Sequence, residues 1–118
     1  LEAQNLIRRI PVGDSVVELI LDLVRAFRPE DPSANNLVRE NMRWGPGPRA
    51  SQALMLAIRS QALLRGDLAP SAADVALLAP AILNHRMAMG FAARSRGMTQ
   101  LELIYEVTGS VIQKSSLA

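Results

Sequence analysis

The run Arg43-Trp44-Gly45-Pro46-Gly47-Pro48-Arg49-Ala50-Ser51-Gln52-Ala53-Leu54 divides the sequence in two. Two Gly-Pro dipeptides in succession stop any helix arriving from the N-terminal side, because proline lacks a donor and restricts the residue before it. Pro48 also suits the first turn of a new helix, where its missing N–H has no partner to lose. The spacing predicts that this helix runs to about Leu64 or Arg65, with Gly66 as its C-cap. Its middle, Ala53 to Ile58, is continuously apolar and predicts a central position in the fold, with Gln52, Arg59 and Arg65 as the exposed strip.

Upstream, Asp14 to Phe27 reads as a second helix, capped by Asp14 or Ser15 and stopped by Pro29. At about 100° per residue, Asp14, Ser15, Glu18, Asp22 and Arg25 share one narrow arc and apolar residues fill the rest. An apolar arc that wide predicts a helix that is mostly buried or faces a partner. Leu1 to Ile10 has the spacing of a short helix ended by Pro11, or of a linker's tail. Arg28 to Asn36 is a polar surface loop, and Leu37 to Trp44 reads equally as a helical turn or an extended arm.

Downstream, Ser71 and Asp74 form a capping-box variant that starts a helix through Val75, Leu77 and Leu78. Pro80 is expected to break or kink it before a second piece with Ile82, Leu83 and Met87. Phe91 to Arg96, between Gly90 and Gly97, reads as a loop or short extended piece. Thr99 and Glu102 open a last helix whose expected face is Leu101, Ile104, Tyr105 and Thr108, with a frayed end from Lys114. The fold class is therefore all-α: a small bundle of four to five helices, with no strand and no internal repeat.

Composition supports this and removes whole classes of function. The chain has 118 residues, 49% of them hydrophobic but only 3% aromatic, so its core is built from Ala, Leu, Val, Ile and Met. Without cysteine there is no disulfide, thiolate metal site or cysteine nucleophile, and His85 alone makes no histidine-rich metal site. The net charge of +2 is too small to argue for nucleic acid, although twelve of the thirteen basic residues are Arg. No apolar run approaches the ~20 residues of a membrane span, and no leader is visible, so a cytoplasmic protein is expected. The first residue is Leu1, not Met, which reads as a fragment or a processed product.

No phosphate-binding loop, paired-acid strand, metal-binding helix motif or dinucleotide fingerprint occurs, so no self-contained catalytic site is expected. The one constellation with chemical content is Gly47-Pro48-Arg49-Ala50 at a helix start. Unpaired N–H groups and the positive end of the dipole make an anion site there. An arginine at that end is unfavourable by roughly 0.3–1 kcal/mol unless an anion joins it. The plain alternative is an Arg49 that points into solvent or onto a distant carboxylate. His85-Arg86 reads as a C-terminal capping pair, Arg94-Ser95-Arg96 as a solvated turn, and Trp44 as a packing anchor. Met55, Met87, Met89 and Met98 read as core fillers.

These segments together resemble the lid of MoxR-type AAA+ ATPases. The Arg43–Leu54 run resembles the lid's opening, and Ala62-Leu63-Leu64-Arg65-Gly66 the end of its central helix. Pro70-Ser71-Ala72-Ala73-Asp74-Val75, then Leu78-Ala79-Pro80 with Leu83-Asn84-His85-Arg86, are similar to the segments that follow. Asp22 to Pro29 resembles the first lid helix, and the resemblance spans about Ile10 to Tyr105. It implies that residues 13–109 are the lid, 1–12 a linker from a nucleotide-binding core and 110–118 a tail. It implies that Arg49, with Pro48 beside it, meets ATP as the sensor-2 arginine, with Mg2+ and most of the nucleotide held by the core. It also implies ATP hydrolysis by the whole parent but not by this piece alone, a hexameric ring, chaperone-like action, and von Willebrand A-domain partners. The loop from Pro29 to Asn36 and the arm to Trp44 are longer than in the commonest members.

Two other readings compete. A helical DNA-binding domain fits the Arg content, but Ser71 to Leu83 holds no basic residue to serve as a recognition helix. A helical protein-interaction module would dock through the broad apolar arc of Asp14–Phe27.

Overall fold

The computed structural model describes residues 6, 7 and 9–117. Beyond Gly13 the elements are α1 (Asp14–Ala26), α2 (Asn36–Asn41), β1 (Met42–Trp44), α3 (Arg49–Arg65), α4 (Ala72–Asn84), β2 (Ala88–Met89), α5 (Phe91–Ser95) and α6 (Gln100–Leu117). The expected helix over residues 1–10 falls largely outside the described residues, although Leu6 and Ile7 are helical. The molecule is a helical bundle, as the composition required, with one small ladder added.

In α1, Asp14 in the first turn and Arg25 in the last oppose the helix dipole favourably. Val16, Leu19, Ile20, Leu23, Val24 and Phe27 recur at helical spacing and are buried. Two neighbours are needed to cover so wide an arc, and α1 has them: it packs on α3, on α6 and, more lightly, on α4. Only Leu21 of its large apolar residues stays well exposed.

Helix α4 occupies the centre, packed against α3 on one side and α6 on the other. The continuous apolar run in α3 had predicted that place for α3 instead. There only Ala50, Leu54, Ile58 and Ala62 are buried, one stripe at four-residue intervals, while Leu56 is 53% exposed. A run of apolar residues has no period, so it does not say how many faces are covered. In α4, Val75, Ala79 and Leu83 form the buried stripe and the helix continues through Pro80, which is itself buried. Packing on both sides outweighs the roughly 3 kcal/mol that an internal proline costs.

Between α2 and α5 the chain forms the strands that the sequence reading lacked. β1 and β2 are antiparallel, with Met42 opposite Met89 and Trp44 opposite Ala88, and Gly90 N–H donates to the Asn41 carbonyl at 2.8 Å. Segments of three and two residues are too short for an alternation to show. Leu37 to Trp44 is thus both a helical turn, capped by the Asn35 side chain on Leu37 N–H, and an extended arm. Met42, Met87 and Met89 are buried, whereas Trp44 is 52% exposed. Phe91–Ser95 is a short helix rather than a loop, held by buried Ala93. Helix α6 starts with the Glu102 N–H donating to Thr99 Oγ1 and runs to Leu117 instead of fraying at Lys114. Its buried face is Leu103, Ile104, Val107 and Thr108, one residue round from expectation, so that Leu101 and Tyr105 face outward.

The α3–α4 turn is held by charge. Gly66 caps α3 in the left-handed region at φ 76°. Asp74, fully buried, accepts from Ser71 N–H at 2.8 Å as the third residue of α4. The same carboxylate takes Arg65 from the end of α3: Nη2 lies 2.6 Å from Oδ1 and 2.8 Å from Oδ2, and only the Oδ2 contact has hydrogen-bond geometry. The hydrogen bond to Asp74 raises the Arg65 pKa above its ordinary value. Asp67 pairs with the same guanidinium at 3.0 Å, but exposed. Asp74→Ala should therefore lower the unfolding free energy by about 1–3 kcal/mol. Asp67→Ala should change it by less than about 0.5 kcal/mol. Equilibrium urea unfolding of the two variants measures the contrast.

Candidate functional site

The stretch from Gly45 to Arg49 is built onto the C-terminal end of α1. Gly45 lies against the Phe27 carbonyl, and a Cβ there would stand 2.9 Å from Arg28 Cα. The Arg28 Nε–H donates to the Pro46 carbonyl at 3.1 Å, and Pro46 is buried. Beyond it the chain turns outward: Gly47, Pro48 and Arg49 are exposed. Pro48 takes the N-cap position with helical angles (φ −60°, ψ −26°), and Ala50 N–H donates to the Gly47 carbonyl at 3.1 Å. Ala50 and Leu54 are fully buried beneath, which fixes the first turn of α3.

Arg49 and Pro48, the two residues singled out in the sequence, therefore stand together at the start of α3. The end is electrostatically bare. Pro48 has no side chain to cap with, no acidic residue lies in the first turn, and Ser51 Oγ donates backward to the Pro48 carbonyl. In α1, α4 and α6, by contrast, Asp14, Asp74 and Glu102 occupy the first turn. An exposed guanidinium on an uncapped N-terminus offers forked donors and a positive dipole end to the same anion.

The remaining candidates have structural work. His85 is the exposed C-cap of α4, and Arg86 Nη1 donates to the Ile82 carbonyl at 3.4 Å, as a C-terminal pair should. Arg94 and Arg96 are both exposed, and Arg96, in the turn after α5, also has a partner: its Nη2 donates to Oδ1 of buried Asn41 at 2.6 Å, tying that turn to α2. That partnership is separated by 55 residues and leaves no local signal. Arg59, taken as part of an exposed strip, is half-buried in a cleft between α1 and α3. Among the described residues no group of His, Asp or Glu could hold a metal ion, and no helix is long and apolar enough to cross a membrane.

The model of the AAA lid domain family matches residues 34–106, from the end of the polar loop to the middle of α6. The chain belongs to the AAA lid domain family. The "Uncharacterized protein YeaC" of Bacillus subtilis is 30% identical over 97% of this chain. The bundle also superposes on the crystal structure of a "putative ATPase" from Cytophaga hutchinsonii, with a TM-score of 0.80 over 87% of the chain and 22% identity, a likeness of fold. The chain spans about a third of either protein, 34% of the first and 31% of the second.

The two glycines of this lid's opening have different duties. Gly45→Ala would drive a methyl into backbone atoms of Phe27 and Arg28, whereas Gly47→Ala meets nothing within 4 Å and has no positive φ to lose. Thermal unfolding should show Gly45→Ala destabilised by about 1–3 kcal/mol and Gly47→Ala within about 0.5 kcal/mol of the parent.

Proposed function

We propose that this lid belongs to a MoxR-type AAA+ ATPase and that Arg49 is its sensor-2 arginine. The observation that carries the reading is the exposed Arg49 on the bare N-terminus of α3, in a chain of the AAA lid family. A phosphate group fits that end, since Arg49 and the helix dipole are both cationic and no carboxylate in the first turn competes.

In this reading residues 1–12 link the lid to a nucleotide-binding core, and residues 13–109 form the lid. The remaining 110–118 are the tail. ATP supplies the phosphoryl group, and the core holds most of it together with Mg2+. Arg49 contributes forked donors to the terminal phosphate, and Pro48 holds the backbone that presents them. Because Ala50 and Pro46 are buried on the bundle, a pull on Arg49 is passed to α3 and, through its packing, to α4 and α1. Hydrolysis in the core thereby moves the lid as one body. The parent acts as a cytoplasmic hexameric chaperone, with von Willebrand A-domain proteins as partners.

The test uses the full-length protein with its core. Arg49→Ala should lower ATP turnover by about 10- to 100-fold, the worth of one charge-assisted contact to phosphate. Arg49→Lys should keep the charge but restore only part of the rate, because an ammonium has no fork. Unchanged turnover in Arg49→Ala, with an unchanged melting temperature, would overturn the sensor role.

A further inference from the structure

The first N–H groups of a helix have no partner within it, and a side-chain cap ordinarily takes one of them and holds the turn. Helix α3 has no such cap. Ala50 and Leu54 anchor it from beneath, but Gly47, Pro48 and Arg49 are exposed. Two side chains reach this segment, and both act as donors to carbonyls. Ser51 Oγ donates to the Pro48 carbonyl at 3.2 Å, and Arg28 Nε–H donates to the Pro46 carbonyl at 3.1 Å. Neither takes an N–H of the turn.

Arg28 comes from just beyond α1, 18 residues before its acceptor. It is half-buried and belongs to neither ion pair found among the described residues. Its acceptor depends on it in turn. Pro46 is buried, has no N–H of its own, and receives no backbone hydrogen bond at its carbonyl from the described residues. Without Arg28 that carbonyl would lack a donor inside the fold and would turn toward water. Only Gly47 and Pro48 separate it from Arg49, a span of at most about 11 Å, so the start of α3 would follow.

We propose that Arg28 is a positioning residue for Arg49. It holds the start of α3 from behind, in place of a cap, and leaves the N–H groups of the turn and the Arg49 guanidinium free for a phosphate group. An Asp or Ser at the N-cap would hold the turn equally well, but its oxygen would take the same N–H groups. An Asp would also offset the positive end of the dipole. A donor placed on the preceding carbonyl avoids both conflicts. The inference rests on the sensor reading of Arg49 and adds to that site a residue from the other side of the Gly45 contact.

The test uses the full-length protein with its core. Arg28→Gln places an amide N–H where arginine carries Nε–H, without the charge, whereas Arg28→Met has similar length and no donor. Without nucleotide, hydrogen exchange over residues 49–54 should be about fivefold faster in Arg28→Met and within about twofold of the parent in Arg28→Gln. Exchange over residues 56–65 should not change in either. ATP turnover, read below the melting temperature of each variant, should fall about fivefold in Arg28→Met and less than about twofold in Arg28→Gln. In an Arg49→Ala background Arg28→Met should cost less than about twofold more, because the residue it positions is gone.

Parental exchange in Arg28→Met, or its full cost persisting on top of Arg49→Ala, would overturn the proposal. Arg28→Lys keeps the charge and misplaces the donor, so it should turn over more slowly than Arg28→Gln. The reverse order would overturn the proposal by making the charge the active feature, and this pair decides where Arg28→Met does not fold. Slow Arg49→Ala with parental turnover in Arg28→Met would sink the positioning role alone. Parental turnover in Arg49→Ala would sink the sensor reading and this inference with it.

Discussion

The close approach of Gly45 to the end of α1 is the constraint on which the rest of the molecule depends. Phe27 is fully buried at that end, its carbonyl lies against Gly45, and Arg28 grips the carbonyl of Pro46. These contacts pin the chain where it passes from the β1 ladder to α3. The burial of Ala50 and Leu54 then sets the axis of α3, and its contacts with α1 and α4 follow. A side chain at position 45 would push the loop off α1 and move the start of α3 with it. The position of Arg49 is thus a consequence of packing some residues earlier, at a glycine that carries no chemistry of its own.

How much of this was legible in the sequence depends on whether the signal is local. Some helix starts and stops were: Gly66, the Ser71–Asp74 box and Thr99 with Glu102 act within a few residues and stand where the sequence placed them, whereas α1 is capped by Gly13 and not by Asp14 or Ser15. The placing of Arg49 and Pro48 at a helix start was legible for the same reason. Facing was less so. Residues Ala53 to Ile58 do not show which of their sides meets α4, and the face of α6 differs by one residue because Leu101 and Tyr105 are as apolar as their buried neighbours. Pairings across long separations were not legible at all. The β1–β2 ladder and the Arg96–Asn41 bond join segments that have nothing in common until the bundle has formed. Asp74 was seen as a cap, but Arg65 as its partner required knowing that α3 and α4 turn back on each other at Gly66.

The charges of this domain divide according to what neutralises them. Arg65 is paired with a buried carboxylate and Arg96 with a buried amide, and both hold elements together. Arg28 is taken up by a loop carbonyl, and Arg39 donates to the carbonyls of Asp31 and Pro32. Arg49 stands on a helix end where the dipole disfavours it, and Arg59 keeps its Nε buried without an acceptor. Stability alone is a poor reason to retain either, since an uncharged residue would relieve the first and an acid nearby would satisfy the second. Groups whose cost is not met inside the domain are the ones that a ligand or partner can satisfy. The Arg content, which at net +2 said nothing about a partner, becomes informative only when each guanidinium is followed to its acceptor. Those traced to acceptors explain the fold, and of those without a traced acceptor Arg49 stands at the start of a helix.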